Sequence, residues 1–136
     1  MKEIELEAKI ENLAAATDFV CRQLEELNCP PTIQMQIELA VDEIFTNVSM
    51  YAYTPGTGNV KISVDTDTPG LVRIIFCDSG VPYDPLQKDD PDVTLSAAER
   101  QIGGLGIYLV KKSMDRLEYQ FKHGHNILTL TKRFRS

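Results

Sequence analysis

The sequence predicts a two-layer α+β sandwich, with a mostly antiparallel sheet covered by helices on one face. Three observations carry that expectation. Stretches with period-two alternation open the chain, recur in its middle and close it. Neighbouring alternating stretches are joined by turn residues, not by helical crossovers. Apolar residues at helical spacing occupy three other stretches, which gives the order β-α-α-β-β-loop-α-β-β in a single domain, residues 1–136.

Taken in order, "KEIELEAKIE" is the first strand, with Ile4, Leu6, Ala8 and Ile10 alternating with charges. In "ENLAAATDFVCRQLEELN", Leu13, Ala16, Val20, Leu24 and Leu27 repeat at helical spacing behind Asn12, a capping residue type. Asn28 and the Pro30-Pro31 pair stop that helix. Thr32 is placed to cap the second, "IQMQIELAVDEIFTNVSMYAY", with a stripe of Ile33, Ile37, Ala40, Val41, Ile44, Val48 and Tyr51. "TPGTGN" ends it. "NVKISVDT" and "LVRIIFCDS" are strands flanking the turn "DTPG". The following "GVPYDPLQKDDPDVTLSAAERQIGG" has no sustained period and reads as a long loop with a short helix at residues 95–100. Loops of that length in a compact domain are commonly functional lids. "LGIYLVKKSMD" is the third helix, and "RLEYQFKH" with "NILTLTKRF" closes the chain as a hairpin turning at Gly124.

Composition narrows the function classes. The net charge of −6 argues against a nucleic-acid binder, which would show a basic face. Without a long apolar run or a signal-like start, the expectation is a cytoplasmic protein that contacts no membrane. Cys21, Cys29 and Cys77 are odd in number and lack CxxC spacing, so neither a disulfide framework nor a zinc site is expected. His123 and His125, placed on the closing strands, have no third ligand nearby and read as surface residues.

Three constellations could carry chemistry. In "VDEIFTN", Glu43 and Asn47 are four residues apart and share a helix face. On most helices such a pair is an exposed polar flank. Read chemically, Asn47 offers a neutral oxygen suited to Mg²⁺, and Glu43 can take a proton from a hydroxyl one turn away. In "FCDSGVPYDP", Asp78 ends an apolar strand and Gly80 follows. The plain reading is an Asx-turn. The chemical one is a carboxylate accepting a hydrogen bond from an exocyclic amine, with Gly80 letting a flat ring approach. In "ERQIGGLGIYLV", Gly103, Gly104 and Gly106 open a helix and present bare N–H groups to an anion, with Arg100 just before them. Neither a Walker A lysine nor a βαβ dinucleotide unit accompanies them.

The order of these motifs resembles the Bergerat-fold ATPases, over roughly residues 4–134. The stretches "DSGVPYDP", "GGLGIYLVKKSMD" and "NILTLTKRF" are most similar to the anti-sigma-factor serine/threonine kinases of that superfamily. That resemblance implies ATP and Mg²⁺ as cofactors. It implies Glu43 as general base, Asn47 as the magnesium residue, Asp78 as the adenine-amine acceptor and Gly80 as room for the base. Gly103, Gly104, Leu105, Gly106 and Ile107 would wrap the phosphates, and Arg100 would sit at the γ-phosphate. Residues 83–103 would form the lid. Tyr51 stands where several relatives place a histidine, and Asn126 where other branches have a threonine-rich turn. The implied function is phosphorylation of an antagonist protein by a regulator that also binds a sigma factor. The alternatives are a nucleotide-dependent protein-binding module with little catalysis and an ATP-hydrolysing switch. A two-fold homodimer through the first strand and helix is a further expectation.

Overall fold

The computed structural model describes residues 1–53, 56–87 and 104–135. Its strands are β1 (Lys2–Glu7), β2 (Asn59–Asp65), β3 (Leu71–Asp78), β4 (Arg116–Lys122) and β5 (His125–Arg133). Its helices are α1 (Leu13–Glu26), α2 (Pro31–Asn47) and α3 (Gly104–Ser113). The element order is the one expected. The short helix at residues 95–100 lies outside the described residues.

The strands form one sheet in the order β1-β2-β3-β5-β4, and every neighbouring pair is antiparallel. Alternation places one set of side chains toward the helices. Register then lines them up across strands: Ile4, Ile62, Phe76, Leu128 and Tyr119 form one row. The next row on the same face runs Leu6, Val60, Asp78, Asn126 and Phe121. Polar residues therefore sit opposite each other on a face that is otherwise apolar. Against this face pack Ala16, Val20 and Leu24 of α1, Ile37, Val41, Ile44 and Phe45 of α2, and Ile107 and Val110 of α3.

Several boundaries differ from expectation for local reasons. Asn12 does not cap α1. Residues Ile10–Asn12 wind a 3₁₀ turn, and the Asn12 amide donates to the Glu7 carbonyl at 2.9 Å, tying the turn to the end of β1. Ile10 consequently faces solvent. Thr32 does not cap α2, because Pro31 takes the first helical position, where its missing N–H costs nothing. The Pro-Pro pair thus starts a helix as well as separating two. Asn28 ends α1 in the left-handed region at φ 54°, and the Cys29 N–H returns to the Leu24 carbonyl at 3.1 Å. Beyond Asn47 the helix widens into a π-helical turn, Val48–Ala52, which rotates Tyr51 out of the apolar stripe and leaves it exposed. His123 lies in the β4–β5 turn, not on a strand. It and Gly124 have φ of 53° and 79°, the pair of positive values that a tight two-residue hairpin requires.

The three cysteines are free, and burial pushes all three thiols up. Among the described residues no helix is long and apolar enough to cross a membrane.

Two outcomes follow. Phe76 lies in the middle of the apolar row and is 1% exposed. Phe76→Ala should lower unfolding free energy by about 3–5 kcal/mol in urea titrations. Cys21 on α1 is raised from 9.0 to about 12, first by burial and then by its hydrogen bond to Glu38 of α2. The folded chain holds this proton more tightly than the unfolded one. Its contribution is therefore complete below the ordinary thiol value and is lost as pH rises from there toward the folded value. Stability should fall across that alkaline window, and Cys21→Ala should make the decline shallower.

Candidate functional site

The site forms where the C-terminal half of α2, the end of β3 and the start of α3 converge. Residues of α2 at positions 37, 41, 44 and 45 are held against the sheet, which fixes the rotation of the helix. Glu43 and Asn47 then fall on the adjacent flank, toward α3. A β-carbon added at Gly106 would overlap the Glu43 carboxylate, so acid and glycine turn are in direct apposition. Asn47 is 9% exposed, and its amide nitrogen is buried with no hydrogen-bond partner among the described residues. A buried amide left without a partner costs about 1–3 kcal/mol, so Asn47 works against stability where it stands.

Helix α3 begins at Gly104. The N–H groups of Gly104, Leu105 and Gly106 therefore have no acceptor within the helix, and the positive end of its dipole lies among them. Ile107 is the first residue whose N–H ordinarily bonds inside the helix, and its side chain is buried in the core. Gly103 and Arg100 lie outside the described residues. Lys111 and Lys112 stand in the last turn, at the opposite pole.

The second part is a pocket between Ile44, Asn47, Ala52, Asp78, Tyr83 and Asn126, floored by Phe76 and Leu128. Asp78 is 6% exposed, and its Oδ1 accepts the Gly80 N–H at 2.9 Å. The Asx-turn of the plain reading is thus present. Gly80 packs on the backbone of the π-helical turn, where a β-carbon would overlap the Ala52 carbonyl. The neighbouring Val81 N–H donates to that same carbonyl at 2.9 Å. Tyr51 and Tyr83 meet at the rim with ring centroids 5.5 Å apart. The cavity left is about 30 Å³, room for a water or two and far less than a purine. On the other side of Glu43 an open groove of about 530 Å³ runs between α2 and α3, bordered by the exposed Leu39 and Leu109.

Among the described residues no group of three or more His, Cys, Asp or Glu side chains could hold a metal by itself. A magnesium ion needs less. It keeps several waters and takes its remaining oxygens from phosphate, so one amide oxygen at Asn47, at the foot of an anion-ready helix, fits that donor set.

This architecture is the Bergerat-type α/β ATPase fold. The chain belongs to the family described as the histidine kinase-like ATPase domain, whose model matches residues 6–132. It is 33% identical over 99 residues to the serine/threonine-protein kinase BtrW of Bordetella bronchiseptica, covering 73% of this chain and 70% of BtrW. Its fold is similar to the crystal structure of the RsbU and RsbW domains of Rv1364c from Mycobacterium tuberculosis. That match has a TM-score of 0.64 at 16% identity, covering all of this chain and 34% of that one. The catalytic domain of the histidine kinase ThkA, in a nucleotide-free form, gives a TM-score of 0.56 at 13% identity over 98% of both chains.

The structure thus apposes Glu43 and Gly106, while Asn47, one turn further along α2, lines the adjoining pocket with Asp78, whose carboxylate Gly80 caps. Sequence reasoning gave no role to Asn126, Tyr119 and Ala52. A signal for the first was available: Asn126, Leu128 and Leu130 share the inward period of β5, and a polar residue on a buried face calls for a reason.

The two apposed glycines should respond differently to alanine. At Gly106 the obstacle is a movable carboxylate and the residue is helical, so Gly106→Ala should hold or raise stability while displacing Glu43. At Gly80 the obstacle is backbone, and Gly80→Ala should cost about 1–3 kcal/mol in denaturant titrations.

Proposed function

We propose that this chain is an ATP-dependent serine/threonine protein kinase of the anti-sigma-factor type, which phosphorylates an antagonist protein and binds a sigma factor or similar regulator in the cytoplasm. The observation that carries the reading is the apposition of Glu43 to Gly106. It puts a carboxylate beside the N–H groups that would hold the terminal phosphates. Kinship with BtrW supports the same class.

The work divides by residue. Asp78 accepts the adenine amine, and Gly80 gives the ring access once the strap after β3, residues 79–83, moves. The N–H groups of Gly104, Leu105 and Gly106 hold phosphate oxygens, with Gly103 and Ile107 at the edges of that run. Asn47 would hold Mg²⁺, which when bound offsets phosphate charge. Arg100 would neutralise charge at the γ-phosphate. Glu43 takes the proton of the attacking serine or threonine hydroxyl, which reaches it along the groove between α2 and α3. Positioning and electrostatics supply most of such a rate enhancement.

A second reading is a nucleotide-dependent protein-binding module with little catalysis. It is favoured by the contracted pocket at Asp78, because admitting a purine must reshape the surface segment around Val81 and Tyr83.

With Mg-ATP and a cognate antagonist, the chain should yield phosphoserine or phosphothreonine, and Glu43→Ala should lower transfer by roughly 10²–10⁴-fold. Transfer unaffected by Glu43→Ala would remove Glu43 from the base role. Nucleotide binding without any phosphoprotein would favour the module. In thermal-shift series, ATP and ADP with Mg²⁺ should raise Tm and GTP should not.

A further inference from the structure

Asn126 has no part in the roles above, yet it is 6% exposed and lies directly across the strand pair from Asp78. Its hydrogen bonds account for its whole capacity. The amide nitrogen donates to Asp78 Oδ1 at 2.9 Å and to the Val81 carbonyl at 2.9 Å, with the Gly80 carbonyl more distant at 3.5 Å. The amide oxygen accepts the Tyr83 N–H at 3.1 Å and the Tyr119 hydroxyl. A backbone N–H can only donate and a backbone carbonyl can only accept, so these partners fix which end of the amide is which. Burial pushes the Tyr119 phenol up, which keeps it a donor at ordinary pH.

Two consequences follow. A carboxamide has two donors and two acceptor positions, and all four are taken. Asn126 therefore has nothing left to offer a base. The Asp78 bonds from Gly80 and Asn126 also both fall on Oδ1, and among the described residues Oδ2 carries none. One carboxylate oxygen is pinned and the other is left for a ligand.

The geometry points to Asn126, braced by Tyr119, as the positioning residue that sets base selectivity by orienting the Asp78 carboxylate without touching the base. The inference rests on the reading of Asp78 as the acceptor of the adenine amine. Guanine presents a carbonyl oxygen where adenine presents the amine. A carboxylate held with one oxygen forward rejects that carbonyl, and a carboxylate free to turn away accommodates it. The same amide ties Val81 and Tyr83 to β5, so base site and strap share one fastening point.

The test is calorimetric binding of Mg-ATP and Mg-GTP to the full chain. The wild type should prefer ATP. In Asn126→Ala the ATP:GTP preference should fall by at least roughly ten-fold, mainly through weaker ATP binding, the size expected from losing one oriented hydrogen bond. Tyr119→Phe, which removes only the brace, should shift the preference the same way by a smaller factor. A folded Asn126→Ala with the wild-type preference, or one that weakens both nucleotides equally, overturns the inference, since a merely structural knot would behave so. If Asn126→Ala does not fold, Tyr119→Phe decides, and an unchanged preference overturns it. A wild type without ATP preference sinks the Asp78 reading itself, and that failure is visible before any substitution is made.

Discussion

Helix α2 must bury one flank and expose the chemistry of the next, and the site depends on both. Ile37, Val41, Ile44 and Phe45 are each about 1% exposed or less. Each such burial is worth about 1.5–3 kcal/mol, so their sum far exceeds the cost of one orphaned amide at Asn47. The apolar flank acts as a rotational clamp. With it fixed, Glu43 has one direction available, toward Gly106 in the first turn of α3. Position 106 has no side chain, so the two helices can close until carboxylate and backbone meet.

The polar row of the sheet follows a similar logic at right angles. Strand register places Asp78 and Asn126 side by side at the edge of the apolar face, just where β3 runs out. Placing polar groups there is tolerable because each has partners from the strap after β3. The π-helical turn supplies the other wall. Its Ala52 carbonyl receives the Val81 N–H, and its Tyr51 ring meets Tyr83. The flank that carries Glu43 and the pocket at Asp78 are thus joined through continuous backbone, from Asn47 into Ala52.

Much of this was legible in the sequence. Period-two alternation identified all five strands, because each has one face on the core. The Glu43 and Asn47 pair was visible as a helical i, i+4 relation, and the glycine turn as a run without side chains at a helix start. What escaped detection depended on contacts between distant segments. The π-helical turn has no signature of its own, since Val48 and Tyr51 continue an ordinary helical stripe. Pro31 looked like a stop because a proline ends one helix and begins another by the same property. Asn12 had a capping residue type, but the nearby Glu7 carbonyl claimed its amide. Asn126 stood out only as a departure from relatives. Its importance comes from facing Asp78 across 48 residues of chain.

One feature of the sheet bears on how the molecule is assembled. The last strand in sequence, β5, is not at an edge but between β3 and β4. Until it is in place, β3 has an open side and β4 has no neighbour. Contacts between segments so far apart close slowly. During synthesis, then, the half-built sheet must wait for residues beyond His125, and the carboxylate of Asp78 acquires its brace only in the closing step.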